Sequence, residues 1–373
     1  MSEGPPVPET RVLAVASHVP KSLEPRLYAA NTIPVPRYVG NKIAVFSMQS
    51  LGCDVAALNT VQFSNHTGYG QWTGSKVSAQ EITDLYHGLK QSYLDDFDMM
   101  LSGYVPGAAA LKAVGQIAEE LKAKAKARPG SFFWVLDPVM GDNGNLYVAQ
   151  DVVPVYKSLA HHADLVLPNQ FEAELLSEVK ITDMASIGRA IQAMHERYGI
   201  PHIVITSVSL PHPDHPVSSL SVVGSTMTSN RKSRAFKIVF PAIDCYFSGT
   251  GDMFAALMVV RMREAVYGAG NGLMQTASWL SDDSVDALDL PLARAAEKVL
   301  ASMHEVLTKT AETMERTVGK ARAEMTSGVD GAGTAEAEKK RLRLLKSKAA
   351  ELKLVRHLDS LRFPEVEFRA ARM

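Results

Sequence analysis

Phe247-Ser-Gly-Thr-Gly-Asp252 leads without a break into the apolar run Met253 to Val260. Two glycines one residue apart let a chain turn sharply and bring its backbone close to a ligand. The run behind them reads as a buried helix. A helix that starts there aims its free N–H groups and positive dipole end at whatever occupies the turn, and phosphate is the group such an end favours. Asp252 falls in the first turn, where a carboxylate can accept the proton of an attacking hydroxyl. An isolated Gly-Thr-Gly-Asp is also an ordinary N-capping turn, so its meaning depends on what the rest of the chain supplies. No Gly-x-x-x-x-Gly-Lys-Ser/Thr loop is present, which leaves Walker-type phosphate binding unsupported.

Working outward, short apolar runs alternate with helical patterns. Arg11 to Ala16, Met99 to Leu101, Phe132 to Leu136, Leu165 to Leu167 and Ile203 to Ile205 each read as a buried strand of a parallel sheet. Ser78-Ala-Gln-Glu81 is a capping box, and Ile82, Leu85, Tyr86 and Leu89 give the helix behind it one apolar face. Leu111, Val114, Ala118 and Leu121 repeat the period, as do Met184, Ile187, Ile191 and Met194, with Pro129-Gly130 and Gly199 as their stops. Alternation of this kind predicts right-handed crossovers in a doubly wound α/β sheet. Pro211 to Lys237 breaks the rhythm and reads as a hairpin-like excursion with a polar loop, a candidate lid near the phosphates. The C-terminal third reads as helical, with Val299, Met303, Val306, Thr310 and Met314 on one face and Gly328 to Thr334 as a flexible break.

The strand ends carry the chemistry. Asp137-Pro-Val-Met-Gly-Asp142 follows Phe132 to Leu136, and two carboxylates there suit Mg²⁺, which keeps waters and uses few protein ligands. Leu167-Pro-Asn-Gln-Phe-Glu172 follows the next strand and Thr206-Ser207 the one after. Taken singly, each is a turn with solvated side chains or a helix start. Ligands of open α/β sheets bind outside the carboxyl ends of strands. Several acidic or hydroxyl-bearing strand ends together with a glycine-rich helix start describe a site for a nucleotide, a metal and a hydroxyl nucleophile.

Composition excludes other classes. Lys and Arg total 39 against 40 Asp and Glu, so no global basic field points to nucleic acid. The run Lys339 to Lys348 reads as a solvated helix face balanced by Glu336, Glu338 and Glu351. Two cysteines, Cys53 and Cys245, make no disulfide framework and suit a reducing compartment. Met253 to Val260 is the longest apolar run, far short of a membrane span, and the first residues carry no secretory pattern. The expectation is a cytoplasmic protein (a nuclear pool is compatible) with neither membrane nor nucleic acid as a partner.

Ser17-His-Val, Tyr38-Val-Gly-Asn41, Val61-Gln-Phe-Ser-Asn-His-Thr-Gly-Tyr69, Ser102-Gly-Tyr104, Asp137-Pro-Val-Met-Gly-Asp142, Pro168-Asn-Gln-Phe-Glu-Ala-Glu174, Val204-Ile-Thr-Ser207 and Gly249-Thr-Gly-Asp252 resemble the pyridoxal kinase family of the ribokinase-like superfamily. The resemblance runs from about Arg11 to Val355. Its specific part is the Gln-Phe-Ser-Asn-His-Thr-Gly-Tyr string, because Gly-Thr-Gly-Asp is shared with sugar, nucleoside and pyrimidine kinases. It implies a single three-layer sandwich domain with a central, mainly parallel sheet. It also implies ATP-dependent phosphorylation of the 5′-hydroxymethyl group of pyridoxal, pyridoxine or pyridoxamine. By the same resemblance Asp252 is the general base, Gly249 and Gly251 form the anion hole, and Thr250 binds ATP. Ser17 and Thr67 touch the polar groups of the pyridine ring, Val39 packs on the ring and Tyr104 borders it. Asn169, Glu172, Thr206 and Ser207 face the ATP phosphates and their metals, with Asp137, Asp142 and Glu172 as the metal set. Ile243 and Phe247 flank the adenine. Mg²⁺, a monovalent cation such as K⁺, and a homodimer complete the expectation. Two rivals fit the same residues: another superfamily kinase acting on hydroxymethylpyrimidine or a sugar, and a nucleotide-binding protein without catalysis.

The chain departs from the family in two places. Eighteen residues, Pro20 to Arg37, separate Val19 from Tyr38, where the family has a few. They read as translated intron or a gene-model error, with a genuine flap over the pocket as the alternative. Leu167 stands where the family often has Thr, which removes one ligand expected for the monovalent cation. The charged stretch 319–348 has no assigned role.

Overall fold

A computed structural model describes residues 7–19, 39–65, 71–210, 218–270, 272–326 and 335–373. The inserted stretch 20–37, Thr67 and the break 328–334 lie outside them. In chain order the strands are β1 (Arg11–His18), β2 (Asp54–Phe63), β3 (Gly74–Lys76), β4 (Met99–Ser102), β5 (Phe133–Leu136), β6 (Gly141–Asp142), β7 (Asn145–Leu146), β8 (Leu165–Val166), β9 (His202–Val208), β10 (Ser219–Met227), β11 (Ser233–Pro241) and β12 (Ala371–Arg372). One sheet takes the order β12-β11-β10-β9-β8-β5-β4-β1-β2-β3, while β6 and β7 form a small separate hairpin. From β9 to β2 every pairing is parallel, and antiparallel strands flank this heart on both sides.

The helices are α1 (Asn41–Ser50), α2 (Ala79–Gln91), α3 (Ala108–Ala125), α4 (Val152–Leu159), α5 (Gln170–Ser177), α6 (Met184–Tyr198), α7 (Thr250–Ala269), α8 (Pro291–Thr326), α9 (Ala335–Ala349) and α10 (Leu358–Arg362). Successive strand residues point to opposite faces, and both faces are covered. Val12, Ala14, Leu101, Phe133, Val135 and Val204 pack with α1, α7 and α8. Their neighbours Leu13, Val15, Met100, Trp134, Leu136 and Ile203 pack with α2 to α6. Strands buried on both faces read as continuous apolar runs, which is why five of them stand out in the sequence. The result is the expected three-layer arrangement. No helix among the described residues is long and apolar enough to cross a membrane.

Local signals mostly place the elements where the sequence puts them. Ser78 caps α2 with its box to Glu81, and Gly199 ends α6 in the left-handed conformation. The α2 face is narrower than its spacing suggests: Ile82 and Tyr86 are buried, but Leu85 is 57% exposed. The excursion after residue 211 is a correction of another kind. From Ser219 onward it is no lid, because β10 pairs with β9 and extends the main sheet, and β11 carries the C-terminal β12. The described parts of the charged 319–348 stretch are helical, at the end of α8 and in α9.

One packing feature ties the far side of the sheet together. Trp279 is fully buried, stacks on Phe133 with ring centroids 4.1 Å apart, and donates its indole N–H to the Gly130 carbonyl at 2.9 Å. Gly130 itself has φ 77°, and a side chain there would strike the Met274 carbonyl. Trp279→Ala removes the stack and strands the Gly130 oxygen. Urea denaturation should show a loss of about 3–5 kcal/mol; a loss under about 1 kcal/mol would mean the site collapses around the gap.

Candidate active site

All strands of the parallel heart end on one side, and the polar strand-end residues collect there. β1 ends at Ser17 and His18, where an antiparallel bridge joins His18 to Gly40. Gly40 has φ 58° and ψ −138°, and a side chain there would collide with both the carbonyl oxygen and the hydroxyl of Ser17. The next residue, Asn41, is buried. Its side-chain amide donates to the carbonyls of Leu58 (2.9 Å) and Ala16 (3.3 Å) and to Asn59 Oδ1 (2.9 Å), which locks the start of α1 to β1 and β2. Val39 and Tyr104 pack against Val19, Val61 and Phe63, a small apolar cluster apart from the two main cores. Burial raises the Tyr104 hydroxyl above its ordinary pKa.

Opposite this wall lies the start of α7. Gly249 is its N-cap, with φ 83° and no side-chain cap, so the turn relies on backbone alone. Gly251 is exposed in the first turn, and a side chain there would meet nothing within 4 Å. Asp252 is half-buried and accepts the Gly40 N–H on Oδ2 at 2.8 Å. Burial pushes its carboxyl up to about 6, while the Gly40 bond pulls the other way. The bond joins the glycine turn to Gly40 and, through the Gly40 bridge to His18, to the end of β1.

A second acidic group stands at the ends of β5 and β8. Asp137 is buried beyond β5, and among the described residues its carboxylate has no hydrogen-bond partner. Burial raises it well above the usual carboxylate range, and the charges of Glu172 and Asp252 push further in the same direction. Glu172 is also buried, yet better served. It accepts N–H groups from Met140 (2.8 Å), Gly141 (3.3 Å) and Asn169 (2.9 Å). Burial still outweighs these bonds and lifts it to about 7. Asn169 caps α5 by accepting from the Glu172 N–H and donates its amide to the Gly141 carbonyl at 2.7 Å. The capping pair and the candidate site pair are thus the same two residues, and they frame the loop that carries Asp142. Asp142 is exposed on β6 and holds Asn143 through its backbone N–H at 2.8 Å. An Asn169 to Thr206 bridge aligns the end of β9, where Ser207 takes φ 54° and is exposed.

Ile243 and Phe247 are half-buried in the loop before α7, with Phe247 packed on the core. Cys245, between them, lies 3.5 Å from the Met314 sulfur, and Ser248 bridges to buried Glu351. Leu167 is buried in the apolar core, so its side chain offers no ligand to a cation. Thr67 falls outside the described residues, which leaves one member of the expected ring-binding set unplaced. Sequence reasoning missed Gly40 and Tyr147. The first was visible only as the glycine of Tyr38-Val-Gly-Asn41. Tyr147 follows the Asp142 hairpin, and its hydroxyl is raised by burial and then by Asp142, Tyr246 and Glu172.

Among the described residues no three His, Cys, Asp or Glu side chains converge closely enough to hold an ion by themselves. The oxygen-only acids at the strand ends are hard donors, a set that fits Mg²⁺ with water and phosphate completing its shell.

Known proteins sharpen the picture. The family model described as phosphomethylpyrimidine kinase matches residues 98–269. A pyridoxal kinase of Homo sapiens is 34% identical over 323 residues, covering 83% of this chain and 88% of its own. One of Dictyostelium discoideum is 35% identical over 243 residues, covering 64% and 78%. The pyridoxal kinase of Leishmania donovani, solved with ADP and pyridoxamine, superposes with a TM-score of 0.72 at 27% identity, covering 98% of this chain and 100% of that one. Its complex with ADP and pyridoxine also gives 0.72, at 26% identity, covering 97% and 99%.

The raised Asp252 carboxyl has a stability consequence with a definite sign. Its folded value, about 6, lies above the ordinary 3.8, so its ionisation opposes folding as pH rises from about 4 to 6. Asp252→Asn keeps an oxygen for the Gly40 N–H but lacks that charge. Denaturation at pH 8 should find the variant more stable than the parent by up to about 3 kcal/mol, with the gain gone near pH 3. A variant less stable at pH 8 would show that the carboxylate is well compensated.

Proposed function

The chain belongs to the pyridoxal kinase family, and we propose that it transfers the γ-phosphoryl of ATP to the 5′-hydroxymethyl group of pyridoxal, pyridoxine or pyridoxamine. The observation that carries this reading is the place of Asp252, in the first turn of α7 and bonded across to Gly40, which bridges to the end of β1. A ring bound between Val39 and Tyr104, with Ser17 and Thr67 on its polar edge, would bring its alcohol to that carboxylate. Asp252 takes the hydroxyl proton as the oxygen attacks the γ-phosphorus, and ADP departs. The first N–H groups of α7, at Gly249 to Gly251, face the equatorial oxygens and favour the charge that gathers there. Catalysis of this type is mostly positioning and neutralisation.

Asn169, Thr206 and Ser207 line the phosphate side, and Ile243 and Phe247 border the adenine. Asp137, with Asp142 and Glu172, would hold Mg²⁺, which supplies positive charge to the phosphates. Asp137 is the best fit because it is buried and its carboxylate has no hydrogen-bond partner among the described residues. Glu172 already spends both oxygens on backbone N–H groups, so its share of the metal is to keep the Asn169 and Asp142 loop in place. A K⁺ site would have to rely on backbone carbonyls, since Leu167 contributes none from its side chain. A homodimer remains part of the proposal, to be read by sedimentation.

A pyridoxal phosphorylation assay tests the reading. Asp252→Asn should lose about 10²–10⁴ in kcat while ATP binding persists. Near-normal turnover would remove Asp252 from the base role, and ATP binding with no vitamer-dependent ADP release would favour the non-catalytic rival. Gly251→Ala separates fold from function. Nothing in the protein opposes a side chain at 251, so its melting temperature should hold or rise while kcat falls about 10-fold or more, as a methyl group crowds the phosphoryl. Unchanged kcat would place the phosphate elsewhere.

A further inference from the structure

Gly40 has no part in the chemistry described so far, yet it touches both halves of the site. We propose that Gly40 is the positioning residue for the base: its backbone N–H holds one oxygen of Asp252, while its bare Cα lets the chain lie flat on Ser17. A single residue then sets the base against the acceptor end of β1. The proposal rests on Asp252 being that base.

The geometry is over-determined. The N–H meets Oδ2 at 2.8 Å across 212 positions of sequence. The backbone, at φ 58° and ψ −138°, is one that L side chains rarely adopt. The bridge to His18 pins Gly40 from one side, and the buried Asn41 amide pins it from the other. The N–H therefore cannot swing away from the carboxylate. Among the described residues, it is the hydrogen-bond donor to that carboxylate. With Oδ2 committed, Oδ1 is the oxygen left to take a proton. A bond from a backbone N–H also favours the charged form, against the burial that opposes it. On the flanking elements, His18 ends β1, Lys42 stands in the first turn of α1 and Asp137 follows β5. Of these, Asp137 senses the Asp252 charge.

Gly40→Ala cannot keep this backbone and clear Ser17, so the N–H must leave Asp252. The acid limb of kcat/KM for pyridoxal should move up by about one pH unit, and kcat at pH 7 should fall about 10-fold, with the KM for ATP changed less than about twofold. An acid limb that stays in place overturns the proposal, since a merely structural lesion would lower activity without moving it. Because the variant can fail to fold, a second measurement uses the unsubstituted protein with isotope-labelled glycine. The Gly40 amide proton should titrate with the same midpoint as the acid limb, and the titration should vanish in Asp252→Asn. An amide that ignores pH between about 5 and 8 overturns the proposal. The two readings fail separately. Near-normal kcat in Asp252→Asn removes the base and this role with it, whereas an inactive Asp252→Asn beside an insensitive amide removes only the part given to Gly40.

Discussion

To act as the proposed base, Asp252 has to stay charged in a recess that disfavours charge, and among the described residues one backbone hydrogen bond carries that burden. Asp252 enters the recess because α7 begins there, and α7 begins there because Gly249 takes a left-handed turn that other residues resist. Gly40 meets it from the opposite side, held by the end of β1. Neither side could be placed without the sheet. The parallel pairing of β1 with β2 and β4 fixes where Ser17 stops, and the packing of α1 on α7 fixes how near Gly40 comes to Asp252. The bond is thus the point at which the end of β1 and the α1–α7 layer are brought into register.

Around that bond the charges are arranged at a cost. Asp137, Glu172 and Asp252 are all held above their ordinary range, chiefly by burial, and Asp137 also by the other two. Glu172 is relieved by three N–H groups, Asp252 by one, and Asp137 by none among the described residues. An uncompensated acid beside two others weakens a fold that gains nothing from it, and positive charge delivered with a nucleotide would reverse the sign. The gradation also separates the acids: the best-bonded one builds the loop, and the least-bonded one is the one proposed to meet the metal.

Elements whose signals are local were legible in the sequence. Five buried strands showed as apolar runs, the capping box at Ser78 formed with both of its reciprocal bonds, and the helix start open at Leu167 to Glu172 is there, capped by Asn169. Features that depend on distant partners were not. The β10–β11 hairpin was visible, but its place in the main sheet depends on pairing with β9, which no local pattern records. Leu85 obeys the helical period yet faces solvent, because the layer over α2 covers only the stripe through Ile82 and Tyr86. Gly40 could be quoted as part of a motif but not assigned, since its meaning lies in two residues far from it in sequence. Asn169 and Glu172 show that a capping reading and a functional one need not compete, because the cap itself shapes the loop at the site.

The two glycines of the opening stretch illustrate how a glycine can be read once neighbours are known. Gly249 has a positive φ, so the protein's own backbone accounts for it. Gly251 sits in ordinary helical geometry with open space where its side chain would be. In a helix interior glycine is about 0.5–1 kcal/mol worse than alanine, so the fold alone gives no reason for it there. A glycine that the protein does not require, at the exposed N-terminal turn of a helix beside a carboxylate, is what the proposed phosphate site needs, because the ligand's atoms would come where a methyl group would stand.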